Sequence, residues 1–140
     1  MKLSRTAVHK VGWLAVLLLV IGAYRSSSRG SKPYIAATKI LNQSGGKYSI
    51  EGSGYEWSER VSLNIQNVPL QQPTGWHLGT TVAVNGRFSF ETEDFHCVRV
   101  DDPRLREQYN KQKVIFVGTG LSSGRTASVM DTAGGVLMCP

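Results

Sequence analysis

Cys97 and Cys139 are the two cysteines of the 140-residue chain. In an oxidising compartment a lone pair reads as one disulfide. The bridge would close a loop of about 43 residues, contributing roughly 4 kcal/mol in the chain-entropy model. Were Cys97 a free thiol instead, the adjacent His96 would look like its base. Consecutive residues on a strand point to opposite faces, so neither would activate the other. His77 is a second potential base, but a disulfide removes the thiol it would need. No nucleophile–base–orienter set can be assembled, so no catalytic residue is expected. The scattered donors His77, His96 and Cys97 lack the spacing of a metal site. Asp94, Asp101 and Asp102 match no calcium loop and read as a solvated acidic cluster. No cofactor is expected.

The aromatic residues offer binding chemistry. Tyr55 and Trp57 follow the Gly52-Ser53-Gly54 bend, and Trp76 and His77 follow the polar, Pro-containing stretch 69–74. Both groups fall at expected loop ends, where binding residues collect on sandwiches. Exposed rings there would stack on a sugar or anchor a protein. Tyr55, Trp57, Trp76 and His77 are therefore the candidate ligand-binding set. In the competing reading one Trp is core and the other covers the open end of the sandwich. Asn42-Gln43-Ser44 fits a glycosylation acceptor, relevant only in a eukaryotic host.

The elements that would position these residues are short strands. Val61, Leu63 and Ile65 alternate with Ser62, Asn64 and Gln66, the period-2 pattern of a half-buried strand. Tyr48, Ile50 and Gly52 alternate in the same way. Asn85-Gly86 signals a hairpin between residues 80 and 92. A three-residue loop, Val84-Asn85-Gly86, pairs Val82 with Phe88 and Thr80 with Phe90, gathering the apolar side chains on one face. Val114, Ile115, Phe116 and Val117 stand in a row, as in a strand covered on both sides. After a turn at 120–124, Ala127 and Val129 are expected inward, and Gly134-Gly135 leads into a last strand at 136–139. Asp102-Pro103 before helix formers is a helix start, predicting one or two turns near 102–110. Some seven strands with turn signals between them predict an all-β sandwich or small barrel.

Ahead of these elements the chain reads as an address. Residues 1–10 are basic, and residues 11–23 (VGWLAVLLLVIGA) are an unbroken apolar run. A span needs about 20 apolar residues and a signal-peptide core about 7–15. Residues 1–23 are thus a signal peptide or a membrane anchor. Length favours the former, with a mature start close to Tyr24; the anchor would use residues 7–24. Either places the rest outside the cytoplasm, secreted, periplasmic or tethered. Residues 24–36, rich in Ser, Arg and Gly at their start, read as a flexible tether, and 37–140 as the domain. Lys2, Arg5, Lys10, Arg25, Arg29 and Lys32 account for the whole net charge of +6; from Pro33 onward ten basic residues balance ten acidic ones. The domain total gives no electrostatic basis for nucleic-acid binding.

Three segments carry a resemblance. Residues 48–55 (YSIEGSGY) and 57–65 (WSERVSLNI) resemble the opening strands of bacterial extracellular immunoglobulin-like domains. Residues 85–90 (NGRFSF) resemble their central hairpin, and residues 113–129, with Gly-Thr-Gly and Gly-Arg-Thr-Ala-Ser-Val, their last two strands. The resemblance covers roughly residues 37–132 and implies an immunoglobulin-like sandwich. In that family the domain is a spacer, an adhesin part or a ligand-binding accessory. The single copy, the helical insertion and the Cys pair depart from it. The expected function is an exported, non-enzymatic module of the cell envelope with a protein partner. The alternative is a small carbohydrate-binding module using the loop-end aromatics.

Overall fold

The structure, a computed structural model, describes residues 31–140. The apolar segment at 1–23 and most of the expected tether lie outside the described residues. Lys32–Pro140 forms one compact unit of two antiparallel sheets. The first sheet contains β1 (Tyr34–Asn42), β2 (Gly45–Ser53), β5 (Phe88–Glu91) and the two-residue β6 (Phe95–His96), with both β5 and β6 on β2. The second has the order β4 (Trp76–Ala83), β3 (Glu59–Gln66), β7 (Lys113–Gly120), β8 (Thr126–Thr132). The predicted all-β sandwich is present, with eight strands.

Alternation sets what each strand buries. Tyr48 and Ile50 from β2 face Val61, Leu63 and Ile65 from β3, and all five are at most 1 % exposed. Val114 and Phe116 of β7 join them, while Ile115 and Val117 point to the outer face and are half-buried. That segment therefore alternates and is not covered equally on both sides. Burying a Val, Leu, Ile or Phe side chain is worth about 1.5–3 kcal/mol, so this shared layer is what holds the sheets together. Tyr48 packs its ring 4.6 Å from that of Phe116, centroid to centroid.

β1 begins at Tyr34, inside the stretch expected as tether. Its apolar residues Ile35 and Ala37 face inward, and so does Lys39, whose Nζ donates to Thr132 Oγ1 and the Gly134 carbonyl, both at 2.8 Å. A lysine among inward positions hid the strand's period from sequence reading. Asp102 caps α1 (Pro103–Lys111) as its sequence predicts: its Oδ1 accepts from the Arg104 and Leu105 amides at 2.8 and 3.4 Å.

The hairpin differs from its expected register. Val84 and Arg87 pair around a two-residue Asn85-Gly86 turn with both φ angles positive, 52° and 76°. The three-residue loop was expected because Val82 and Phe88 were assumed to share a face of one sheet. In the structure β4 and β5 belong to different sheets. Val82 consequently lies exposed, whereas Phe88 enters the core. The expected strand at 136–139 is instead a turn with isolated bridges, Val98 to Met138 and Gly134 to Met138. It buries Val136, Leu137 and Met138 under the first sheet's β6 end.

Candidate functional site

The strand directions gather three loops at one end of the sandwich. β1 begins, β2 ends and β5 begins there in the first sheet; β3 begins, β4 ends, β7 ends and β8 begins there in the second. The connections 54–58, 84–87 and 121–125 thus share a pole with residues 31–33, where the described chain enters. Backbone bonds tie them together: the Tyr55 amide donates to the Gly86 carbonyl at 3.3 Å, and the Ser58 amide to Ala83 at 2.8 Å. Arg125 donates to the Gly54 carbonyl at 2.7 Å.

Glu59 is the polar centre of this pole. Although 3 % exposed, its carboxylate accepts from three backbone amides: Glu56 at 2.9 Å, Ser122 at 3.0 Å and Ser123 at 2.6 Å. Burial would push its carboxyl up, but the Ser123, Glu56 and Ser122 donors outweigh it and hold Glu59 below the usual glutamate range. Gly120 lies against the carboxylate so closely that a Cβ there would sit 2.5 Å from its carbon. The group is thus satisfied by the fold and is not presented to a ligand.

The predicted aromatic residues do not form one surface. Tyr55 is 2 % exposed and faces the core, its hydroxyl donating to the Gly118 carbonyl at 3.0 Å; burial, then the nearby Glu59 charge, push it up to about 12. It offers no ring face to a ligand. Trp57 lies in the 54–58 loop at the pole and is 61 % exposed. Trp76 opens β4 directly after the 67–75 loop, at the end of the sandwich away from the pole, pairs with Ile65, and is half-buried against Phe95 at a centroid distance of 6.2 Å. Glu59 and Ile65 mark the opposite ends of β3, so Trp57 and Trp76 are separated by about 20 Å of strand. His77 is exposed on the outer face beside Ser62 and Thr80, each hydroxyl 3.4 Å from a ring nitrogen.

Sequence reading missed a groove of about 670 Å³ beside the pole. It runs over the outer face of the first sheet. Tyr34, Val82 and Val84, each at least half exposed, form its apolar walls, and Glu51 and Arg87 bring opposite charges to it. Its signal lay in Val82, which the assumed hairpin register set on the apolar face with Phe88, and in Val84, which that register placed in the loop. The groove exists because the chain leaves one sheet for the other at Asn85-Gly86, exposing Val82 and Val84 on either side of the buried Ala83.

Cys97 and Cys139 form the expected disulfide, 42 residues apart in sequence. Parallel backbone bonds flank it, the Val98 amide donating to Leu137 at 2.9 Å and the Cys139 amide to Val98 at 3.0 Å. A disulfide fits an oxidising, extracytoplasmic environment. Among the described residues no group of three His, Cys, Asp or Glu is placed to hold a metal ion, and no helix is long and apolar enough to cross a membrane. No protein-family model, curated protein or solved structure matches the chain.

Proposed function

We propose that residues 32–140 are an extracytoplasmic, non-enzymatic, immunoglobulin-like module of the cell envelope that binds a polypeptide partner in the groove of the first sheet. The groove carries this reading. Its Tyr34, Val82 and Val84 walls are apolar surface that a partner's side chains would bury, while Glu51 and Arg87 supply both signs of charge for a main chain or polar side chains. A protein interface needs an apolar centre with a polar rim, and this arrangement has both. The two-sheet architecture and the disulfide support the immunoglobulin-like, exported part of the reading.

The test compares the full chain with its Val82→Glu variant as bait for solubilised envelope fractions. A polypeptide retained by the parent and lost by Val82→Glu is the expected result. Retention of a glycan alone would favour the carbohydrate reading, and equal retention by both baits would remove the groove as the site.

A further inference from the structure

We propose that the loop pole is a docking surface for the headgroup region of an anionic lipid bilayer. The groove borders the pole and shares Val84 and Arg87 of the 84–87 connection with it, but Trp57 and Leu121 lie outside the groove, and this inference does not rest on the groove's occupant. Two large apolar side chains stand out from the loop tips: Trp57 at 61 % exposure and Leu121 at 55 %. They belong to neighbouring loops held together by the Glu59 carboxylate, so they project from one rigid base and not from independent flexible tips. Indole is the side chain that settles best at a membrane–water interface, with an apolar body and a polar N–H.

Charge points the same way. Lys32, Arg60 and Arg87 are exposed at or beside this pole, and Arg125 is half-buried within it. Against them stand Glu51 in the groove, Glu56 in the 54–58 loop, and Glu59, whose carboxylate is buried and satisfied from within. Seven of the ten acidic residues, from Glu91 to Asp131, belong instead to segments beyond β5's start, towards the other end of the sandwich or on α1. Chain connectivity adds the last observation. The described domain is entered at this pole, through Lys32 and Pro33 packed on Gly54. Residues 24–32 carry Arg25, Arg29 and Lys32 and no acidic residue, and the apolar run 11–23 lies directly before them. These nine residues extend at most about 32 Å. A bilayer that holds, or has just released, the apolar run is therefore within reach of the surface that bears Trp57 and Leu121. Basic residues next to an anionic leaflet are drawn to its surface charge.

The experiment uses the full chain with Leu17→Asp, Leu18→Asp and Leu19→Asp, so that the apolar run cannot itself insert. Flotation with vesicles of phosphatidylglycerol and phosphatidylcholine is compared with flotation on phosphatidylcholine alone. The chain is expected to float with the anionic vesicles, to do so less with the zwitterionic ones, and to lose flotation when Trp57→Ala and Leu121→Ser are added. Met130→Ser, an exposed apolar residue towards the far end of β8, should leave flotation unchanged. A melting curve checks that each variant is folded. Quenching by chain-brominated lipids, read as the difference between the parent and Trp57→Phe, reports directly on Trp57. No flotation on anionic vesicles, flotation undiminished by the loop pair, or no lipid quenching of Trp57 would each overturn the proposal. Protein-free vesicles offer no polypeptide, so these outcomes are independent of the groove reading.

Discussion

The Glu59 carboxylate accepts a 2.6 Å hydrogen bond from the backbone amide of Ser123, 64 residues further along the chain. One side chain at the start of β3 thereby fixes the 121–125 loop, and through Glu56 its own 54–58 loop. Replacing it with Gln keeps the shape but leaves one acceptor oxygen, so the NH2 group faces an amide donor, at least one of the three bonds is lost and the rest lose their charge assistance. Glu59→Gln is expected to cost about 1–3 kcal/mol at neutral pH, measured by denaturant unfolding.

The same carboxylate sets an acid limit. Its folded value lies below the ordinary 4.5, so the folded state binds the proton less readily than the unfolded chain. The stability it contributes is complete above the ordinary glutamate range and is lost as pH falls through the lower folded value. Melting temperature against pH should therefore fall more steeply in the parent than in Glu59→Gln. Parallel curves would show that Glu59 has no part in the acid limb.

Two buried tyrosines should respond oppositely to loss of the hydroxyl. Tyr48 is fully buried and its hydroxyl finds no hydrogen-bond partner among the described residues. Tyr48→Phe removes that burden and is expected to be neutral or stabilising by up to about 1 kcal/mol. Tyr55→Phe leaves the Gly118 carbonyl without its donor and is expected to destabilise by about 1 kcal/mol. Thermal unfolding of the two variants checks the difference in sign.

Tyr55 also predicts alkaline behaviour. Its phenol is raised from 10.0 to about 12, so the fold favours the neutral form. That contribution is whole below pH 10 and is lost as pH rises towards 12. Phenolate absorbance should show a late-titrating fraction in the native protein that merges with the rest on unfolding.

Cys97→Ser should lower the melting temperature by many degrees, since the bridge is worth roughly 4 kcal/mol. Thiol labelling of the denatured, unreduced protein should find no free cysteine; two labelled cysteines would contradict the bridge.

Much of the sandwich was legible where one face is buried and the other wet. Val61, Leu63 and Ile65, and Tyr48 and Ile50, have the period their strands require, and Asp102-Pro103 marks its helix by local capping chemistry. β1 was not legible, because an inward lysine and a partly exposed apolar end blur its alternation. The hairpin failed for a different reason: whether two strands joined by a tight turn share a sheet is decided by the packing of whole layers, which two flanking segments do not encode. The candidate site suffered from the same gap. Side-chain type picked out Tyr55, Trp57 and Trp76, but only the sheets reveal that one is core, one lies at a loop tip and one at the far end of its strand.

The parallel bridging of Val98 by Met138 has a consequence in time. A ribosome delivers Cys97 42 residues before Cys139, and no other cysteine exists in the chain to meet it. Throughout that interval β6 lacks the cover of Val136, Leu137 and Met138, and the Cys97 thiol has no intramolecular partner. An oxidant that reaches the nascent chain early leaves Cys97 as a mixed disulfide, which the Cys139 thiolate later attacks, displacing the capping thiol and closing the bridge. Closure therefore waits for the delivery of Cys139, however early oxidation begins.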